Sequence, residues 1–342
     1  MTTRRRARRV VVSGLAAVAV AQLGLNVALD TVRPNWRDAE YGHRVRRLAR
    51  QRRGDPAGQP LLVVLGTSRA QMGVSPALFG LGDGVRAFNL SMGGAVPVRQ
   101  VFNFDRLCAA GLAPDYLLVE VFPALLAEDG SADGAIPADT LALADLPRVA
   151  GECDDFPAYR RRWLAGRLAP WHTHRRLLLD HWDWAGDTFL PPADRRTFLW
   201  AETRPDGWMP YYNPAMPAAD REARTAGVEG AYGPTLRAFP APPRPARVYR
   251  RMIAAAAAGG GRVAVLLMPE SPRFRRLYPP GGWAESRRRV RAIAGDWPVV
   301  DAGDWLDDET DFADGHHLLG HAAERFSRRL GAEWVRGWVG GP

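Results

Sequence analysis

Lysine is missing from this chain: all 46 basic residues other than histidine in its 342 positions are arginine. The resulting formal charge of +9 carries none of the usual nucleic-acid signatures. The arginines are scattered, and no zinc-finger spacing, basic zipper or aromatic RNA-binding run accompanies them, so no nucleic-acid partner is expected. Cysteine is nearly missing too. Cys108 and Cys153 sit in no metal-type spacing and are too few for a disulfide framework, leaving one bridge or two free thiols open. No internal repeat and no coiled-coil pattern is present. What remains is a chain with 46% hydrophobic residues, long enough for one large domain or two small ones with a substantial core.

Charge is also absent from residues 10–29, VVVSGLAAVAVAQLGLNVAL, directly after the basic run RRRARR at 4–9. As a helix this stretch spans about 30 Å, the thickness of a bilayer's hydrocarbon core. The arginines should stay inside, which puts everything after Asp30 across the membrane. The triplet Ala19-Val20-Ala21 offers an alternative, a signal-peptidase site after a shorter apolar core. Either way the chain is exported, and the lack of a polar face argues against a soluble amphipathic helix. The expected organisation is a cytoplasmic basic tail (1–9), a transmembrane anchor or signal segment (10–29), and a juxtamembrane stalk (30–59) carrying a short basic helix near lipid head groups. One domain then covers 60–338.

Within that domain, LLVVLG (61–66) is a short apolar run suited to a strand buried on both faces. Further strands are expected at VRAFNLSMGG (85–94), PDYLLVEVF (114–122), RVAVLLMP (262–269) and WPVVDAG (297–303). Helical spacing separates them at 98–111, 246–261 and 284–296, and a closing helix follows from Gly320. This alternation predicts an α/β fold: a parallel sheet covered by helices on both faces, in three layers. Residues 124–245, rich in Trp, Pro and Arg, interrupt it and read as an inserted helical lobe with apolar patches such as WHTHRRLLLDHWDW (171–184). The GLGDG at 80–84 lacks a strand–turn–helix context and reads as a turn.

Ligands in open α/β sheets collect beyond the carboxyl ends of the strands, and Ser68 stands just past the first strand in VVLGTSRAQMG (63–73). A serine needs an imidazole to take its proton, and the imidazole needs a carboxylate to hold its tautomer. DFADGHH (311–317) supplies both, with Asp314 and His317 three residues apart before the closing helix. Capping of the following helix is the plainer role for Ser68. His316 and His321 read as structural or rim residues. His317 and His321, at i and i+4, would make half a metal site without a second ligand cluster, so neither metal nor cofactor is expected. Glu120 and Glu270, at strand ends, read as partners for nearby arginines.

Gly66-Thr67-Ser68 resembles the first block of the SGNH (GDSL-type) hydrolase superfamily, with Thr where Asp is more usual. FNLSMGGAVP (88–97) is similar to its second block and Asp314-Gly315-His316-His317 to its last. LGTSRAQMGVSP (65–76), LLMPESPRF (266–274) and DFADGHHLLGHAAERFS (311–327) resemble the membrane-anchored branch of SGNH-like proteins. The resemblance covers roughly 60–125 and 245–330, but not the lobe. It implies an SGNH/flavodoxin-like sheet, with Ser68, His317 and Asp314 catalytic and the Ser68 and Gly94 N–H groups holding the oxyanion; Gly93 is the reserve for Gly94. The superfamily's G-x-N-D block is missing, because PALL follows the third strand. Arg69 or Asn89 would then be the substitute donors or supporting residues, together with His316. One lost oxyanion donor costs about 3 kcal/mol. The implied activity is a serine esterase or O-acyltransferase working on acyl esters of a cell-envelope glycan or a small ester, with a membrane-bound O-acyltransferase as a partner. The alternative is a catalytically inactive SGNH-fold envelope protein that binds glycan or scaffolds an acyl-transfer complex.

Overall fold

The computed structural model describes residues 3–56, 58–181, 203–211 and 216–341. The chain divides into two compact units, Met1–His43 with Ala132–Leu199, and Arg44–Ser131 with Trp200–Pro342.

The first unit is helical. Its N-terminal helix, Thr3–Val27, continues through a wider turn to Val32 before Pro34 opens a new helix. The helical stretch Arg4–Val32 is long and apolar enough to cross a membrane, and its apolar window is unburied by the rest of the protein. Burial begins near its end, where Leu29 is 1% exposed. There Asp30 accepts from Arg37 at 2.6 Å and pairs with Arg167. Two further helices, Phe156–Leu168 and Pro170–His181, pack on the N-terminal helix. The stretch WHTHRRLLLDHWDW is therefore helical up to His181, and its last three residues lie outside the described ones.

The second unit is built on five parallel strands: β1 Leu61–Leu65, β2 Arg86–Asn89, β3 Tyr116–Glu120, β4 Arg262–Leu267 and β5 Val299–Asp301. They lie in the order β2-β1-β3-β4-β5, a common doubly wound arrangement whose strand order reverses at β1/β3. Side chains alternate across the sheet as the two-residue period requires. Leu62, Val64, Leu118, Ala264 and Leu266 share a core with Phe79, Phe312, Ala322, Phe326 and Leu330, including the helices Ser68–Gly73 and Gly320–Leu330. Helices Pro97–Ala109, Pro243–Ala258 and Gly282–Ala294 pack together, the latter two also against β4. The α/β expectation and each expected strand are met, with β2 ending five residues earlier than its apolar run suggests. Past Asn89 the chain still follows β1, with Leu90 N–H donating to the Val64 carbonyl (2.8 Å) and Met92 N–H to that of Gly66 (3.2 Å), before it turns at Gly93 and Gly94.

Two of the expected segments are divided between the units. The stalk at 30–59 does not stand free beyond His43. Helix Ala39–Arg52 carries Arg44 and Leu48 fully buried, with Arg44 donating to the carbonyls of Asn89 (3.2 Å) and Gly207 (2.7 Å). The lobe at 124–245 is not one body. Residues 124–131 and everything described from Thr203 on belong to the α/β unit, and only 132–181 group with the N-terminal helix. The physical reason is the open edge of β2. A strand edge left unpaired exposes backbone donors, and here Asn89 N–H donates to the Asp206 carbonyl at 2.7 Å. Gly207 makes that contact possible: it has φ +85°, and a Cβ there would lie 2.1 Å from the Asn89 oxygen.

Candidate active site

Ser68 is the first residue of a six-residue helix rather than its cap. Thr67 caps the helix: its hydroxyl accepts from Arg69 N–H at 3.1 Å, while its own N–H donates to Glu120 Oε2 at 2.7 Å. Carbonyls in the last turn of this helix and at its C-cap, Val74, are also held by groups from outside it. Asn89 Nδ2 donates to Ala70 and Val74 (both 2.7 Å), Met209 N–H to Gln71 (3.2 Å), and Trp208 Nε1 to Met72 (2.7 Å). A short helix bound at both ends holds the serine in one place.

Opposite Ser68, residues 312–318 form a tight loop closed by an antiparallel bridge between Phe312 and Leu318. Asp314 shapes it: Oδ1 accepts from the backbone N–H of His317 (3.0 Å) and of His316 (3.3 Å). Its other oxygen, Oδ2, lies 2.7 Å from His317 Nδ1, and His317 Nε2 lies 2.7 Å from Ser68 Oγ. Hydroxyl, imidazole and carboxylate thus form one continuous hydrogen-bonded chain between residues 249 positions apart.

The electrostatics suit that chain. Burial works against the Asp314 carboxylate, but the two neighbouring imidazoles and the hydrogen bonds from His317 outweigh it and hold the carboxyl well below its usual range. An ionised Asp314 places the His317 proton on Nδ1 and leaves the Nε2 lone pair facing Ser68 O–H. His317 keeps a 16% exposed side chain, within reach of a ligand. His316 differs: it is buried, stacked on Phe122 at 5.5 Å with 7° between the rings, and edge-on to Tyr232. Burial and the adjacent His317 hold it well below its usual pKa, so it is a neutral ring in an aromatic wall.

No protein-family model, curated protein or solved structure matches this chain.

Neither proposed substitute oxyanion donor is free for that task. Asn89 holds the two helix carbonyls with its amide nitrogen and accepts from Ser91 N–H with its oxygen. Arg69 is 0% exposed and points away under the helix. Its guanidinium donates to the Met268 and Pro269 carbonyls (3.0 and 2.9 Å), pairs with Glu270 (3.3 Å) and Glu120 (3.7 Å), and lies 4.2 Å from the Phe122 ring centroid. In this arrangement both side chains are engaged in holding the framework around Ser68. Gly93 and Gly94 are exposed in a turn closed by Ala95 N–H to the Met92 carbonyl. Gly94 has φ +64° with open space around it, as the third residue of a type II turn requires.

The two glutamates pair with Arg69, as a charge at the end of an apolar strand suggested. Both are fully buried, and burial raises both against the pull of Arg69; Glu270 is pushed up to about 7. Gly66 is the tight point of this packing, since a Cβ there would lie 2.7 Å from Glu120 Cβ and 2.8 Å from Ala70 Cβ. His321 pairs with Asp311 (3.3 Å). Among the described residues, Asp314, His316 and His317 lie close enough to share a metal ion. Sequence reasoning missed Tyr211, whose buried ring lies 6.4 Å from that of His317. It arrives on the segment that covers β2, and no motif marks it. Cys108 and Cys153 are free thiols, which burial pushes up to about 11.

Proposed function

We propose that this chain is a serine-dependent acyl-transfer enzyme of SGNH type, with Ser68 as nucleophile, His317 as general base and acid, and Asp314 as the group that orients His317. The observation that carries the reading is the unbroken sequence of 2.7 Å contacts from Ser68 Oγ through both ring nitrogens of His317 to Asp314. Ser68 Oγ attacks an ester carbonyl as its proton passes to His317 Nε2. The tetrahedral adduct collapses, the alcohol leaves with that proton, and an acyl-serine remains. A second hydroxyl, deprotonated by His317, then attacks the acyl group and returns Ser68. Water as acceptor makes an esterase, and a sugar hydroxyl makes an O-acyltransferase.

With Asn89 and Arg69 engaged elsewhere, backbone N–H groups of Ser68 and Gly94 are the donors that remain for the oxyanion. A site short of one donor reacts roughly a hundredfold more slowly, which fits a selective transferase better than a fast hydrolase. The apolar N-terminal helix behind an arginine cluster supports a tethered protein with its α/β unit outside the cytoplasm. That favours an acylated envelope glycan as substrate and a membrane O-acyltransferase as acyl source.

The shortage of oxyanion donors also motivates a second reading, an inactive envelope protein that keeps the fold to bind glycan. A fluorophosphonate probe, which labels activated serines, separates the two. Labelling of the full chain in detergent that vanishes in Ser68→Ala and falls sharply in His317→Ala supports the enzyme. Folded protein that takes up no label supports the binding protein.

A further inference from the structure

The first unit carries an apolar surface that the proposed chemistry does not use. On helix Phe156–Leu168, Leu164 and Leu168 are 53% and 72% exposed, and Trp171 at the start of the next helix is 40% exposed. Single exposed apolar residues need no explanation, but these three fall close together in sequence around the join of two helices that pack on the N-terminal helix. The join is tied to that helix by two of its few polar side chains. Gln22 Oε1 accepts from Trp171 N–H at 3.1 Å, and Asn26 Nδ2 donates to the Arg167 carbonyl. Trp171 N–H is a first-turn donor with no partner in its own helix, so the contact satisfies both groups, as a low-dielectric setting demands.

Position along the N-terminal helix identifies what covers this surface. Gln22 lies seven residues before Leu29, the end of the charge-free stretch, which is about 10 Å along the helix axis. If residues 10–29 fill the hydrocarbon core, whatever packs at Gln22 sits that deep in the outer leaflet. Helices lying in the interface typically bury their apolar face about 5–10 Å. The chemistry is graded to match: Arg161, Leu164 and Leu168 share one face at i, i+3 and i+7, with the arginine end exposed and the apolar end leading to Trp171. Arginine suits lipid phosphates, and tryptophan suits the boundary between head groups and acyl chains.

We infer that the join of helices Phe156–Leu168 and Pro170–His181 inserts into the outer leaflet of the membrane beside the N-terminal helix, with Leu164, Leu168 and Trp171 in contact with acyl chains. The inference rests on the reading of residues 10–29 as a membrane span, and the two can fail separately. The full chain, with Cys108→Ser and Cys153→Ser, receives one new cysteine at a time for an environment-sensitive fluorophore: Leu168→Cys, Val18→Cys or Arg288→Cys. Each is reconstituted into vesicles of phosphatidylcholine and phosphatidylglycerol. The expected result is that the labels at 168 and 18 shift to the blue, lose most of their emission to doxyl-labelled lipid, and are shielded several-fold from aqueous iodide. The label at the exposed position 288 should do the opposite. A label at 168 that behaves like the one at 288 while the label at 18 is quenched by lipid overturns the inference alone. A label at 18 that lipid does not quench overturns the span and the inference with it.

Discussion

Replacing Asp314 by Asn tests the site at the point where its geometry is most demanding. The carboxylate accepts on both oxygens: Oδ1 from the backbone N–H groups of His316 and His317, and Oδ2 from the His317 ring. An asparagine has one acceptor oxygen, and two backbone donors compete for it against one ring nitrogen. The oxygen therefore stays on the backbone side, and the amide NH2 faces His317 Nδ1. That nitrogen must then accept, which moves the ring proton to Nε2 and aims it at Ser68 Oγ. The base is lost although no atom has moved far. A tautomer reversed in this way lowers rates about 10⁴-fold, equivalent to about 5.5 kcal/mol. Stability should change by less than about 3 kcal/mol, because one charge-assisted hydrogen bond is weakened and none of the backbone bonds is broken. The assay is the second-order rate of fluorophosphonate labelling at Ser68, read beside the thermal unfolding midpoint. Asp314→Asn protein that is folded yet labels within about tenfold of the wild type would refute the assigned orientation of His317.

Three other outcomes follow from the packing beneath the site. Gly66→Ala drives a methyl against Glu120 and Ala70, and overpacking together with a displaced Thr67 N–H···Glu120 bond should cost about 3–5 kcal/mol; an unchanged urea midpoint would show that the loop yields instead. Arg69→Met leaves Glu120 and Glu270 buried without a cation, and should destabilise by about 3–5 kcal/mol with no change in which residue is labelled. Glu270 has its folded pKa raised to about 7, mainly by burial. Its contribution to stability is therefore complete below the ordinary carboxyl range and is lost as pH rises through about 7. Glu270→Gln should flatten that part of a stability-against-pH curve measured by chemical unfolding, and a curve of unchanged slope would count against the assignment.

The sheet could be read from the chain because burial on both faces writes itself as short continuous apolar runs: LLVVLG (61–66), PDYLLVEVF (114–122) and RVAVLLMP (262–269) each contain a strand, β1, β3 and β4, which the structure trims at the ends. Strand alternation with helices then left few topologies open. The spacing of Asp314 and His317 was also local enough to read, since one turn of loop brings the carboxylate to the ring. Which residues would occupy the space around them was not. Asn89 and Arg69 looked available as donors because their side chains suit the role, but availability depends on what else approaches them. Helix carbonyls at 70 and 74, and strand-end carboxylates at 120 and 270, arrive from far along the sequence.

By itself, then, the sequence determined the elements, the unbroken apolar segment at 10–29 and the local Asp–His pair, since each depends on periodicity or spacing within a few residues. Only the tertiary structure decided that Ser68 meets that pair across 249 positions. It likewise decided that residues after Thr203 close the edge of β2 and bring Tyr211 beside His317, and that Arg69 lies under the site rather than in it. Such contacts are made between segments whose patterns carry no record of one another, and they form only where packing leaves a single way to fill the space.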